Sequence, residues 1–307
     1  MSNTPAISVI IPMYNAEKYI AECLESILIQ TLQDFEVIVV NDCSTDSCRQ
    51  IAESYLEKFS GRLKIYDNEK NSGAGAARNH GLRRASGEYI YFMDADDLIL
   101  TDGLERLYRI AKTFDVDFVN LTKSYEMSDD GKSLSPVHLR LTRLINEPIL
   151  ENNLEWRVKA LLKYHYTIWA PWRRLIRRKF LIENEIFFPE NLIISEDRLW
   201  TYCLLFYAKK IIHVPMAITL YRLSETSITK SERTPLQRIN LGINTVIQGI
   251  EWINNVMDKV PFFSENPQYR YAVLENATKI FFSLIAKKTQ EVSPSDIVKK
   301  NIKNVKY

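Results

Sequence analysis

Residues 7–15 read ISVIIPMYN, and the fold follows from how that stretch is built. Ile7 to Pro12 is a nearly continuous apolar run, as needed by a strand covered on both faces, and such strands belong to parallel sheets. Pro12 stops the ladder because it has no N–H to donate, and a polar loop, Tyr14-Asn15, opens after it. Glu17 to Gln30 then repeats apolar residues at helical spacing, at Ile20, Leu24, Ile27 and Leu28. A second buried run, Phe35–Val40, ends at Asn41-Asp42, and Asp46 is placed to cap a helix running to about Phe59. The alternation continues through a strand at Leu63–Tyr66, a helix at Ala74–Arg84, a strand at Tyr89–Met93, a helix at Leu104–Phe114 and a strand at Phe118–Leu121. The expected fold class is α/β, a mostly parallel sheet flanked by helices.

In such sheets ligands bind beyond the carboxyl ends of the strands. Polar residues stand where that rule wants them. Tyr14-Asn15 follow the first strand, Asp42 the second, Asn71-Ser72-Gly73 the third, and Asp94 and Asp96 the fourth. The last group lies in YFMDADD (91–97), where a strand ends in three carboxylates, Asp94, Asp96 and Asp97. Oxygen ligands of this kind hold a hard divalent cation, which can neutralise the phosphates of a nucleotide donor. The stretch NSGAGAARN (71–79) is rich in small residues and leads into a helix. Small side chains let a backbone approach a diphosphate at a helix N-terminus, and Arg78 adds a forked phosphate donor. Close helix–sheet packing selects the same small residues. No P-loop ending is present, and no G-x-G-x-x-G follows the first strand. Ser195-Glu196-Asp197 opens a helix, where the acids serve either the helix dipole or general-base catalysis.

The formal net charge of +2 gives no global reason to expect nucleic acid as a partner. No apolar run approaches the roughly 20 residues that span a bilayer. The first residues, MSNTPAISVIIP, lack a basic leader, so no secretory signal is expected. Cys23, Cys43, Cys48 and Cys203 show no zinc or C-x-x-C spacing, which fits a reducing cytoplasm. His80, His138, His165 and His213 show no metal-ligand spacing and read as structural. Trp169 and Trp172, followed by five basic residues through Lys179, suit sugar stacking or plain core, with some of the arginines facing phosphate or solvent. Residues 123–150 read as an irregular or hairpin excursion turning at Asp129-Asp130-Gly131. Helices are expected at 151–164 and 196–208, a β pair at Ile211–Val214 and Ala217–Arg222, and helices at Leu236–Met257 and Tyr269–Lys288.

Taken in order, ISVIIPMYN, VIVVNDCSTD, NSGAGAARNHGL, YFMDADD, PWRRL, SEDRLW and YRLSETSIT resemble the blocks of the family 2 glycosyltransferases, inverting enzymes of the GT-A fold. The resemblance spans about residues 6–230. It implies a GT-A-type nucleotide-binding sheet with a helical C-terminal extension. Residues 1–122 would be the nucleotide-sugar-binding half, 123–230 the acceptor-binding and catalytic half, and 231–307 the helical region. By the same resemblance, Pro12, Tyr14, Asp42, Arg78 and Asp94 would hold the nucleotide sugar, with Tyr14 and Asp42 on the base. Asp96 would bind a divalent metal, Mn²⁺ or Mg²⁺, Asp197 would be the catalytic base, and Trp172 would line the acceptor side. The partners implied are a nucleotide-sugar donor, with UDP as carrier, and a glycan or lipid-linked glycan acceptor. Two departures stand out: Asn41 replaces a frequent first Asp, and Arg174 replaces a usual Lys, whose point charge a guanidinium fork does not reproduce.

A sugar nucleotidyltransferase would carry a Gly-rich basic loop after the first strand, and PMYNAEK is not one. A non-catalytic nucleotide-sugar or glycan-binding protein is the rival outside enzymology; Asp96 and Asp197 together argue against it. The lysine-rich stretch 279–307 reads first as a helix packed with its lysines in water. The competing reading is peripheral contact with an anionic membrane, at the inner face of the cell membrane.

Overall fold

Strand β1 (Ile7–Met13) and strand β2 (Phe35–Asn41) lie parallel and in register from Ile7 opposite Phe35 to Met13 opposite Asn41. Six of the seven residues of β1 and all seven of β2 are buried, which is why both read as apolar runs without alternation. The computed structural model describes residues 4–137, 146–164, 169–190, 192, 195–224 and 235–290. His138 and His165, most of the YRLSETSIT block after Ser224, and the lysine-rich end beyond 290 lie outside the described residues.

Helix α1 (Ile20–Leu28) connects the first two strands, burying Ile20, Cys23, Leu24 and Ile27 on one face. Helix α2 (Cys48–Glu53), strand β3 (Leu63–Asp67), helix α3 (Gly73–Arg84) and strand β4 (Tyr89–Phe92) continue the alternation. A short strand β5 (Leu98–Ile99), helix α4 (Gly103–Phe114) and strand β6 (Phe118–Leu121) follow. Helix α2 stops at Glu53 and gives way to turns, short of the predicted end near Phe59. Its first turn does use Asp46, whose Oδ1 accepts from the Cys48 N–H at 3.1 Å.

The hairpin expected after Leu121 is formed by β7 (Ser124–Met127) and β8 (Leu134–Val137), with Gly131 at φ +73° in the turn. Next come β9 (Ile149–Glu151), helix α5 (Leu154–Tyr164), strand β10 (Arg174–Arg177) and helix α6 (Arg178–Glu183). Helix α7 (Glu196–Tyr207), β11 (Ile211–Val214) and β12 (Thr219–Arg222) complete this part. The eight-stranded sheet has the order β3-β2-β1-β4-β10-β6-β11-β9. Strand β10 runs antiparallel between β4 and β6. The expected β pair at 211–222 is also corrected. Strand β11 joins the large sheet beside β6, whereas β12 joins a second sheet of order β5-β12-β7-β8.

Residues 1–225 form one compact unit and 226–307 another. The second is helical: α8 (Pro235–Asp258), α9 (Pro261–Glu265) and α10 (Pro267–Gln290). Within it Arg270 donates to Asn254 Oδ1 at 2.7 Å and pairs with Asp258 at 2.6 Å, and Phe262 stacks on Tyr269. Among the described residues no helix is long and apolar enough to cross a membrane.

Candidate active site

Strand β4 delivers its chain to the carboxyl edge of the sheet, where Asp94–Asp97 form a turn closed by the Asp97 N–H donating to Asp94 O at 3.1 Å. Asp94 is partly exposed and its Oδ1 accepts from Arg78 Nη2 at 2.7 Å. Asp96 is half-buried. Burial and then the neighbouring charge of Asp94 push its pKa up to about 6, against the pull of the Ser224 hydroxyl and Arg222. Asp97 is fully buried, and burial followed by the charges of Asp94 and Asp96 raises it well above the carboxylate range.

Arg78 projects from α3 and is buried at 6% exposure between two sources of negative charge. On one side is Asp94; on the other, Glu196 lies 3.8 Å from Nη1, and the charge of Asp197 also acts on it. Beneath the guanidinium lies the Phe188 ring, 5.4 Å from centroid to Cζ, stacked in turn on Trp200 at 4.3 Å. Asn79 fixes Phe188 by backbone mimicry, donating to its carbonyl and accepting from its N–H, both at 2.8 Å.

Glu196 and Asp197 occupy the first turn of α7, entered through Ser195 in the left-handed conformation (φ +68°). Burial pushes Glu196 up to about 7, opposed by Arg78. Burial also raises Asp197, opposed by the Arg198 charge and by the Arg198 N–H, which Oδ1 accepts at 2.7 Å. Both acids are thus better proton acceptors than ordinary surface carboxylates.

The loops after β1 and β2 are laced together. Asn15, at φ +48°, accepts from the Thr45 N–H at 2.8 Å and donates its own N–H to Ser44 Oγ; Asp46 accepts from the Glu17 N–H at 2.9 Å. Pro12 is partly buried, and Tyr14 next to the strapped segment is 44% exposed. Asp42 is buried and engaged. Its oxygens accept from Asn68 Nδ2 at 2.7 Å, the Ser72 N–H at 3.0 Å and the Gly73 N–H at 2.7 Å, so it caps the start of α3. The small residues there divide their work. A Cβ on Gly73 (φ +86°) would meet nothing within 4 Å, whereas one on Gly75 would lie 3.0 Å from Glu196 Cγ and 3.3 Å from Phe188 Cβ. Gly75 is therefore small because α7 packs against it, the packing alternative of the sequence reading.

Trp172 is buried and stacked on Tyr221 at 5.3 Å, with the Arg173 guanidinium over its ring. Trp169 is partly exposed and carries Arg198, the neighbour of Asp197, over its face at 5.0 Å. Arg173 and Arg174 face neither solvent nor an open surface; both are buried. His80 binds Asn68, and His213 is buried beside Asn120. Arg222 is the site residue to which sequence reasoning assigned no role, and nothing in its local sequence signals one; Glu196 and Trp169 entered that reading only beside Asp197 and Trp172.

The family model described as glycosyl transferase family 2 matches residues 8–183, more than half of the chain. The chain belongs to glycosyltransferase family 2. It is 31% identical to the uncharacterized glycosyltransferase EpsJ of Bacillus subtilis over 75% of its own length and 65% of that relative's, just under two thirds. It is 36% identical to the poly(ribitol-phosphate) beta-N-acetylglucosaminyltransferase TarS of Staphylococcus aureus over 63% of this chain and 31% of that one. The crystal structure of S. aureus TarS 1–349 in complex with UDP superposes with a TM-score of 0.57 at 25% identity, covering 92% of this chain and 88% of the other. The GT-A-type α/β architecture read from the sequence agrees with this family 2 membership.

In this family 2 chain a divalent cation suits the acids at the end of β4. The charge of Asp94 helps to lift the pKa of Asp96, and a cation would relieve that repulsion. Among the described residues no three His, Cys, Asp or Glu side chains gather as a metal cage.

Proposed function

We propose that this chain is an inverting glycosyltransferase. It moves a hexosyl or N-acetylhexosaminyl group from a UDP-linked sugar to an acceptor hydroxyl on a growing polysaccharide, lipopolysaccharide or lipid-linked glycan. One observation carries the reading: the buried Arg78 guanidinium stands between Asp94 at the end of β4 and Glu196-Asp197 at the start of α7. Acids suited to a metal-bound diphosphate and acids suited to proton removal are thereby held around one buried cation. UDP as carrier is supported by the similar TarS structure with UDP, and a polymeric acceptor by the poly(ribitol-phosphate) named for that relative.

In this reading the exposed Tyr14 ring packs on the nucleobase, beside the loop that Asn15 and Thr45 strap in place. Asp42 acts through α3, holding the Ser72 and Gly73 N–H groups and so fixing the start of the helix that carries Arg78. Asp96, assisted by Asp94, would hold Mn²⁺ or Mg²⁺, which when bound supplies positive charge to the leaving diphosphate. Arg78 adds fixed positive potential without reorganising, because Asp94, Glu196 and Phe188 already hold it. Asp197 removes the proton of the acceptor hydroxyl as its oxygen attacks the anomeric carbon opposite the departing diphosphate. The configuration inverts in one displacement, and no enzyme nucleophile is needed. Trp169 and the Arg198 lying over it form the acceptor side together with the buried Trp172. The reaction is placed in the cytoplasm, at the inner membrane face when the acceptor is lipid-linked.

Thermal unfolding with a panel of nucleotide sugars and Mn²⁺, followed by transfer and hydrolysis assays, tests this. A UDP-sugar should raise the unfolding temperature by mass action and be consumed. Stabilisation by none of the panel would refute the donor assignment; binding without turnover on any acceptor would favour a binding protein.

A further inference from the structure

Arg222, the last residue of β12, is 3% exposed and grips the Asp94–Asp97 turn at two points. Its N–H donates to Asp97 Oδ1 at 2.9 Å and its Nε donates to the Asp96 carbonyl at 2.9 Å. The remaining arms point elsewhere. Nη1 donates to the Asp129 carbonyl in the β7–β8 turn at 2.6 Å, and Nη2 to Glu22 Oε2 on α1 at 2.6 Å. The Tyr19 ring lies 5.1 Å from the guanidinium, and the Tyr19 hydroxyl donates to Asp129 Oδ1 at 2.7 Å. One side chain therefore fastens the acidic turn both to α1, whose Glu22 lies 200 residues from Arg222 in sequence, and to a hairpin of the second sheet.

This arrangement has two physical consequences. A guanidinium with acceptors on three separate elements has one available geometry, which a lysine ammonium cannot copy. Its charge also sits beside Asp96 and Asp97 and opposes the repulsion among the clustered acids. We propose that Arg222 is a positioning residue for the divalent cation: it fixes the backbone at Asp96 so that the carboxylate is presented ready for metal, and Glu22 on the surface of α1 sets Arg222. The inference rests on the reading of Asp96 as the metal ligand.

The test is Mn²⁺ binding to the full chain without donor, followed by the electron paramagnetic resonance signal of free Mn²⁺, for wild type, Arg222→Lys and Glu22→Gln. Partners behind metal ligands typically contribute about 10–100-fold to metal affinity, so Arg222→Lys should weaken Mn²⁺ binding on that scale. UDP affinity without metal should stay at the wild-type value. Glu22→Gln removes an acceptor whose side chain is 56% exposed, leaves the fold intact and should weaken Mn²⁺ in the same direction by less. Wild-type Mn²⁺ affinity in both variants overturns the inference, even if Arg222→Lys lowers the unfolding temperature. Absence of Mn²⁺ binding by the wild-type chain would instead overturn the metal role of Asp96, and the inference with it.

Discussion

Arg78 and Asp94, sixteen residues apart in sequence, meet through a 2.7 Å hydrogen bond that ties helix α3 to the end of β4. The same guanidinium lies 3.8 Å from Glu196 of α7, so three elements converge on one buried positive charge.

Arg78→Met should therefore act on the site more than on the fold. It removes the cation that Asp94 and Glu196 share, and without its pull Glu196 holds a proton more firmly still. The expected outcome is a loss of kcat of about a hundredfold or more, the scale of removing one preorganised charge-stabilising donor, with the far-UV spectrum of the wild type. Steady-state kinetics with the accepted UDP-sugar check it; kcat near wild type would contradict the role.

Gly75→Ala probes the seat of α7. The new methyl would sit 3.0 Å from Glu196 Cγ and 3.3 Å from Phe188 Cβ, so one of them must shift. Overpacking of this kind costs about 1–3 kcal/mol. Urea unfolding should show that loss together with reduced activity, whereas Gly73→Ala, with open space around it but a strained φ of +86°, should lose stability through its backbone alone.

Glu36 gives a pH prediction at the opposite end of the sheet. Burial would raise its pKa, but hydrogen bonds from Lys64, the Ser86 N–H, Ser8 and the Ser86 hydroxyl win and hold it near 2, below the ordinary 4.5. A depressed carboxylate contributes stability that is present above its unfolded pKa and lost as pH falls through the folded one. Glu36→Gln should cost about 3 kcal/mol at pH 7, the scale of losing buried charge-assisted hydrogen bonds. The gap to wild type should narrow on acidification from 4.5 toward 2. Urea midpoints at pH 7 and pH 3.5 measure it, and a pH-independent gap would contradict the assignment.

The parallel half was legible because β1 and β2 are buried along their length and their polar loops follow the strands. Strand β10 was hidden by its own chemistry. RLIR begins and ends with arginine, yet Arg174 is buried against the Phe118 and Trp200 rings and Arg177 pairs with Asp115 at 2.5 Å. Local composition cannot reveal such tertiary partners. Strands β11 and β12 looked like a hairpin because little chain separates them, but each follows its own long-range partner, β6 or β7. In the site, Asp94 after a strand and Asp197 at a helix start could be read from the sequence, but the convergence of Asp94 and Glu196 on Arg78 could not. The engagement of Asp42 with α3, the burial of Trp172 and the reach of Arg222 depend on contacts far apart in sequence.

The central claim is that acids at the end of β4 serve the donor while Asp197 serves the acceptor. The most direct measurement compares UDP affinity in the presence of Mn²⁺ with turnover of the accepted UDP-sugar, in wild type and Asp197→Asn. The account predicts unchanged UDP affinity and turnover lower by about 10²–10⁴-fold, the usual worth of a general base. Wild-type turnover in Asp197→Asn, or a loss of UDP affinity that matches the loss of rate, would contradict it.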